Sequence, residues 1–241
     1  MSAPDLRRLS ALTPARVRLQ AGAGATRLAD LLAFQEDHAA ARDAIHAAVD
    51  WDALAGDLAP LPVLRVASRA TDRATYLRRP DLGRQLADCD LPRSAPPLLL
   101  VIGDGLSAPA VMAQAAGVTR ALVGLLPELQ GQPVVLAQGA RVALGDAIGT
   151  ATGAGMVIML IGERPGLSVA DSLGAYLTHA PRVGLRDSAR NCVSNIHLRG
   201  GLSHAAAAER LAWLVTQARH IGATGVALKD ESGSTGMLPP D

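Results

Sequence analysis

The sequence predicts an α/β fold, a mainly parallel sheet flanked by helices, with a helical N-terminal lobe or extension. Three observations carry that expectation. From Pro96 onward, apolar runs alternate with helix-length segments, the pattern of successive βαβ units. The runs PPLLLVIGDG, PVVLAQG and MVIMLIGERPG are apolar throughout rather than alternating, as strands covered on both faces are. Before Pro96 the apolar residues instead recur mostly at helical spacing.

Taken in order, RVRLQ allows a short strand, and AGAGAT after it lacks the GxGxxG or GxxxxGKS spacing of a phosphate loop, so it reads as a connector. Ala25 to Trp51 is helical, with Leu28, Leu31, Leu32, Ile45 and Val49 on one set of faces and Asp30, Glu36, Asp37 and Arg42 on others. PLPVLRVAS, from Pro60, is extended. In ATYLRRPDLGRQL a helix is expected to begin at Pro80, a favourable first-turn position. The strand ending at GDG leads to a helix over Ala108 to Leu129, the strand PVVLAQG to a short helix over Gly145 to Gly153, and then comes MVIMLIGERPG. Ser168 to Leu177 is expected to be helical, NCVSNIH a short strand or loop, and Ser203 to Ile221 an amphipathic helix capped by Ser203. The domain reading is thus a helical, partner-contacting region over 1–95, a Rossmann-like α/β domain over 96–229, and a flexible tail over 230–241.

Composition narrows the function. The 241 residues carry a net charge of +1 with basic and acidic residues interspersed, so no polybasic footprint favours nucleic acid. No apolar run reaches membrane-spanning length, and the N-terminus lacks the apolar core of a signal peptide. Cys89 and Cys192 form no CxxC pair and no disulfide framework, which fits reduced thiols in the cytoplasm. There is no HExxH, and His38 and His46 are too far apart on one helix to share a metal ion. GDGLSA is not a GxSxG elbow, because Ala108 and Pro109 follow Ser107.

The chemistry is expected where strands end. In an open α/β sheet, ligands lie beyond the carboxyl ends of the strands. Four loops fall there: Gly103 to Ser107, Gln138 to Val142, Gly162 to Gly166, and Asn191 to His197. Glu163 stands directly after the last buried strand, where an ionised carboxylate offers acceptors only. Cys192 alone reads equally as a small buried hydrophobe, and GDGLS alone as a tight turn with a helix cap.

Long motifs in these loops carry a resemblance. GERPGL, SLGAYLTHAPR and NCVSNIH, together with ARVRLQAGAGATRLADLLAFQEDHAAARDAI from Ala15, ATYLRRPDLGRQL, IGDGLS and GARVALGD, resemble the small subunit of ethanolamine ammonia-lyase, in the family's order from Ala15 to about Gly225. The resemblance implies a lyase subunit that binds adenosylcobalamin at its interface with a catalytic large subunit, a TIM-type barrel, within a higher hetero-oligomer. The holoenzyme of that family deaminates ethanolamine to acetaldehyde and ammonia by a radical mechanism. By position, Val142, Glu163 and Cys192 match the family's cobalamin contacts; no catalytic residue and no metal ligand is expected in this chain. Arg141 and Arg164 are candidates for binding or interface contacts. A DxHxxG motif is absent, which implies that the cofactor keeps its own dimethylbenzimidazole as lower ligand. The chain starts close to the shared region, without the N-terminal extension linked to encapsulation in some relatives, so placement in a bacterial microcompartment stays open. Two other readings compete: an autonomous Rossmann-like small-molecule-binding domain, and a purely structural assembly subunit.

Overall fold

The computed structural model of the protein describes residues 28–232; the RVRLQ strand, the AGAGAT connector and most of the expected tail lie outside them. The chain runs α1 (Leu28–His46), α2 (Trp51–Asp57), β1 (Val63–Ala67), α3 (Arg73–Arg78), β2 (Leu99–Gly103), α4 (Ala108–Leu125), β3 (Val134–Gln138), α5 (Leu144–Thr152), β4 (Met156–Gly162), β5 (Leu173–His179), β6 (Arg190–Ile196) and α6 (His204–Ile221). The six strands form one sheet in the order β1-β3-β2-β4-β5-β6. The pairs β1–β3, β3–β2 and β2–β4 are parallel, whereas β4–β5 and β5–β6 are antiparallel. The architecture is therefore an α/β fold with a mixed sheet. β1 comes from the stretch assigned by sequence to the N-terminal region, so the sheet spans the expected boundary at residue 95.

The apolar runs are buried because each strand faces a layer on both sides. Leu100, Ile102, Leu136, Ile158 and Leu160 meet α4 through Val111, Ala115, Val118 and Leu122, and the same layer takes in α6 through Leu211, Leu214 and Val215. Leu99, Val101, Val135, Ala137, Val157, Met159 and Ile161 point the other way, toward Leu144 and Ile148 of the short α5. The two faces are unequally covered: two helices of 18 residues lie on the first and, on the second, a helix of 9 residues. α4 alone among the described helices is long and apolar enough to cross a membrane, and half of its length is buried inside the protein, as in a core helix of a globular fold.

The helix ends follow local chemistry. Ser107 caps α4, its Oγ accepting from Ala110 N at 3.1 Å, and Ser203 caps α6 in the same way. Gly153 and Gly222 end α5 and α6 with φ of +75° and +68°, a left-handed conformation that costs glycine little. A buried ion pair, Arg190 Nη1 to Asp146 Oδ1 at 2.6 Å with each side chain 2% exposed, ties β6 to α5.

Three expectations are corrected. Ser168 to Leu177 is not helical: Leu173 to His179 form β5, with Leu173, Ala175 and Leu177 in the well-covered layer and Tyr176 facing the other. Alternation of period two, not helical spacing, governs that segment. No α-helix begins at Pro80. The helix precedes it, capped by Asp72, because proline disfavours helical backbone at Arg79; only a 3-10 turn, Leu82–Arg84, follows. The expected Ala25 to Trp51 helix breaks after His46, and Asp50 starts α2 afresh, accepting from Ala53 N at 3.0 Å.

Candidate functional site

Three of the four predicted loops gather at the carboxyl ends of parallel strands; in the fourth, Asn191 to Ile196 belong to strand β6 itself and His197 alone follows its end. β2, β3 and β4 are parallel, and β6 runs with them because two antiparallel pairings separate it from β4. The loops nevertheless differ in what they leave open. Between β2 and β4, where the strand order reverses, the crevice is filled by main chain. A Cβ on Gly105 would collide with the carbonyl of Gly162, one on Gly162 with that of Ser107, and Leu106 N donates to Gly162 O at 2.9 Å. These glycines serve close packing of loop on loop, and Ser107 is consumed by its cap and by donating to Ala170 O at 2.6 Å. The site on which an autonomous dinucleotide-type domain would rely is closed.

Beside it, Asp104 holds the next loop. Its Oδ1 accepts from Ala140 N at 2.7 Å and Gly105 N at 3.0 Å, and its Oδ2 from Gly139 N at 3.0 Å. Burial pushes the carboxyl above its ordinary range, opposed by these bonds and by Arg73. Arg73 in turn donates to Ile45 O at 2.6 Å and Gly105 O at 2.8 Å. Tyr76, 1% exposed, lies between two guanidinium groups, Arg73 at 4.7 Å and Arg141 at 4.2 Å from its ring. Its hydroxyl donates to Ala140 O at 3.1 Å, and burial raises it to about 12. Arg141 donates from its backbone to Gly83 O and from Nη2 to Tyr76 O. It braces the fold at this point, whereas Arg164 is exposed. A hollow of about 160 Å³ between the α1–α2 corner and this cluster is lined by His46, Trp51, Arg73, Tyr76, Asp104 and Gln138; Asp104 is taken up by backbone donors, whereas Arg73 Nη2 is buried without a hydrogen-bond partner among the described residues.

The thinly covered face of the sheet is different. Glu163 continues the alternation of Met159 and Ile161 and so belongs to that face. Its Oε2 accepts from Ser172 Oγ at 2.6 Å and from Asn195 N at 3.3 Å; among the described residues no group donates to Oε1. Gly174 lies beneath: a Cβ there would come within 3.0 Å of Oε1 and 3.3 Å of Tyr176 Cε2, so ring and carboxylate sit side by side above it. Tyr176 is directly opposite Cys192 in the β5–β6 register, and burial above all, with Cys192 and Glu163 nearby, holds its phenol above the ordinary value. Although Cys192 is exposed overall, partial desolvation raises its thiol, opposed by the neighbouring Tyr176 hydroxyl and reinforced by the Glu163 charge. Val142 packs against the same apolar layer from the loop before α5. Glu163 and Cys192 are thus brought together through Tyr176, and Val142 joins them on the same face.

Asn195 is placed by a register shift on β6 near Leu173, where it takes φ +61°. Such bulges re-aim side chains at sheet edges, and here the shift turns the Asn195 amide to Glu163. His197, the histidine that sequence singles out in this loop, is buried. Arg199 N donates to its Nδ1 at 3.2 Å, so Nε2 carries the proton and donates to Asn195 Oδ1 at 2.9 Å. Both ring nitrogens are spent on loop structure. Sequence reasoning missed Tyr176, Ser172 and Asn195 as parts of this site, the first two because their segment reads as a helix; the alternation Leu173, Ala175, Leu177 was the signal that would have found them.

Comparison with known proteins adds a family. A family model described as ethanolamine ammonia-lyase light chain (EutC) matches residues 3–229. The chain is 53% identical over 238 residues to an ethanolamine ammonia-lyase small subunit of Rhodopseudomonas palustris (strain BisA53), covering 95% of this chain and 91% of that protein. It is 52% identical over 235 residues to the small subunit of that name in Bradyrhizobium diazoefficiens, covering 93% and 90%. For the Rhodococcus erythropolis protein the identity is 49% over 208 residues, 84% of this chain and 80% of the relative.

Proposed function

We infer the function from one premise: the chain belongs to the ethanolamine ammonia-lyase light chain family. It is the small subunit of a lyase, and its partner is the large subunit that the name small subunit implies. On our reading the assembled enzyme converts ethanolamine to acetaldehyde and ammonia with adenosylcobalamin, and the large subunit, a TIM-type barrel, carries the substrate site. The match over nearly the whole chain carries this reading.

The thinly covered face suits a large, flat cofactor rimmed by amides. Among the described residues, Glu163 has one carboxylate oxygen without a protein donor while the other is fixed by Ser172 and Asn195, so it is a pre-oriented acceptor for an amide or hydroxyl. A Cβ at Gly174 would crowd the Glu163 carboxylate and the Tyr176 ring, so glycine there lets both lie down on the strand. Cys192 and Val142 offer apolar contact on the same side, Val142 partly buried and Cys192 exposed. When bound, adenosylcobalamin supplies radical chemistry; the protein's contribution is binding, orientation and exclusion of water. In this chain Glu163 would orient the cofactor's edge, Val142 and Cys192 would exclude water from one side, and the Asp104–Arg73–Tyr76 cluster would keep the Val142 loop in place.

The region over 1–95 supplies the partner contact on this reading. Leu28, Leu31 and Leu32 of α1 are 69%, 43% and 54% exposed, a run of large apolar side chains of the kind that subunit interfaces cover. We place the assembly in the cytoplasm as a higher hetero-oligomer, its residence in a microcompartment being a matter for localisation in cells. Reconstitution tests the proposal. Mixed with the large subunit and adenosylcobalamin, the chain should co-elute, retain cobalamin and make acetaldehyde formation depend on both polypeptides. A chain that neither co-elutes nor alters acetaldehyde formation overturns it.

A further inference from the structure

We propose that Arg190 and Asp146, the buried ion pair between β6 and α5, are positioning residues: they fix the separation of the Val142 and Cys192 edges of the thinly covered face, and so set how tightly the assembled enzyme retains its cofactor. Neither side chain reaches the surface, each being 2% exposed. The inference rests on the cobalamin reading above and adds to it two residues that act from beneath.

The pair joins two segments that strand pairing alone does not hold together. Arg190 and Cys192 lie two positions apart on β6, opposite Thr178 and Tyr176 of β5, and therefore share a face. Val142, on the other side, is built into the start of α5. Gly145 N donates to Val142 O at 3.1 Å and Asp146 N to Ala143 O at 3.2 Å, so Val142 moves with the helix. α5 itself rests on β4 through small residues. A Cβ on Gly145 would meet Val157 at 3.3 Å, and one on Gly149 would collide with Pro181 and Val157. Apolar packing of this kind is non-directional and leaves the helix free to shift across the strand. The direction comes from Arg190 Nη1, 2.6 Å from Asp146 Oδ1. Arg190 is itself aimed by Thr178 Oγ1 at 3.3 Å and Leu185 O at 3.2 Å, both accepting from it. Thr150 Oγ1, donating to Pro181 O at 3.4 Å, is a weaker tie from the same helix.

Stability does not account for the pair. Asp146 Oδ2 and Arg190 Nε are buried without a hydrogen-bond partner among the described residues, Asp187 Oδ1 standing 3.6 Å from that Nε. Burial raises the Asp146 carboxyl, and Arg190 opposes the rise. A buried ion pair satisfied only in part is often no more stabilising than apolar residues of similar volume, yet its geometry is specific where theirs is not. What it specifies here is the distance from α5 to β6. Val142 stands one helical turn before Asp146, and Cys192 two positions after Arg190.

The test uses the complex with the large subunit, prepared without cofactor, and hydroxocobalamin as probe, bound corrinoid being read by visible absorbance after equilibrium dialysis. Urea unfolding and co-elution with the large subunit report on fold and assembly. The double substitution Asp146→Leu with Arg190→Met removes both charges and nearly keeps the volume. Its urea midpoint should hold or rise, while the dissociation constant for hydroxocobalamin rises about tenfold, the scale of a displaced binding group. With adenosylcobalamin, KM for the cofactor should rise with it, and kcat at saturating cofactor should change less than about twofold. Length supplies a second readout. Asp146→Glu keeps the charge but adds a methylene to the tie, and should weaken retention about threefold or more. Adding Arg190→Lys, one bond shorter, should recover most of that loss, an outcome that charge neutralisation alone does not give. If the double apolar variant assembles and binds as the unmodified chain does, the proposal is overturned. If that variant fails to assemble, the length series decides: retention that ignores the added methylene, or no recovery with lysine, overturns it. Glu163→Ala separates the levels. Weaker retention there with none in the pair variants leaves the cofactor reading standing without the positioning role. Unchanged retention in all of them means that this face is not the cofactor site, and both fall.

Discussion

The chain has two tyrosines, and their surroundings differ in an instructive way. Both sit beside charged and polar groups, and burial raises both phenols. Around Tyr76 the bonding is turned inward: two guanidiniums stack on its ring, its hydroxyl meets Ala140 O, and Asp104 is filled by three backbone donors, while Arg73 Nη2 and Arg141 Nε are buried without a hydrogen-bond partner among the described residues. Around Tyr176 the bonding stops short, leaving an acceptor oxygen on Glu163 and an exposed thiol. A cluster of conspicuous residues is thus not itself a site. Open bonding capacity on an uncovered surface separates the second cluster from the first.

The sharpest way to break that comparison is to remove each ring. Tyr76→Ala should destabilise the protein by about 3–5 kcal/mol, the cost of emptying an aromatic-sized volume in a core, read as a fall in the urea midpoint with unchanged slope. Tyr176, half-buried where Tyr76 is buried, should cost less when replaced by alanine; equal losses at the two positions break the distinction. Next comes Asp104→Ala, which orphans the amides of Gly105, Gly139 and Ala140. A loss of about 1–3 kcal/mol is expected in the same assay; an unchanged midpoint would mean that water replaces the carboxylate without cost. Glu163→Ala should move stability by less than about 1 kcal/mol, since its partners Ser172 and Asn195 lie at the surface edge, while weakening cobalamin retention in the assembled enzyme. Unchanged retention removes Glu163 from the site.

The smallest expected effect concerns pH. Tyr76 stays neutral up to about 12 and Tyr176 is raised as well, so neither titrates under ordinary conditions. His204 does: burial, with Arg120 nearby, lowers its pKa, and Nε2 is 2.7 Å from Gln114 Oε1 while Nδ1 packs against Gly117. A histidine depressed in the folded state takes up its proton more readily when unfolded. Its contribution is therefore complete above the ordinary histidine value near 6.5 and is lost as pH falls through the lower folded value. The thermal midpoint should decline modestly on acidification below that value, and His204→Gln should flatten the decline. An unaltered decline in that variant assigns it to the carboxylates.

Legibility in the sequence followed locality. β2, β3 and β4 were readable because each is a continuous apolar run between turn residues, and α4 and α6 because Ser107 and Ser203 cap them in plain view. β5 was misread although Leu173, Ala175 and Leu177 alternate, because its strand pairing is supplied by β4 and β6 on either side in the sheet. Val142, Glu163 and Cys192 were reached through family motifs, and nothing local could have joined Glu163 to Cys192, 29 positions away in the chain. Tyr176, between them in space, fell in the misread segment.

By itself, then, the sequence determined the α/β class, the buried strands, the capped helices and the family, because hydrophobic periodicity, capping chemistry and long motifs are properties of contiguous residues. Only the tertiary structure decided that the last two strands run antiparallel, that the β2–β4 crevice is packed shut, and that Asp104 is taken up by backbone donors while Glu163 is left half-bonded among the described residues. Those outcomes depend on backbone pairing and desolvation between segments far apart in the chain, and such energies exist only once the segments meet.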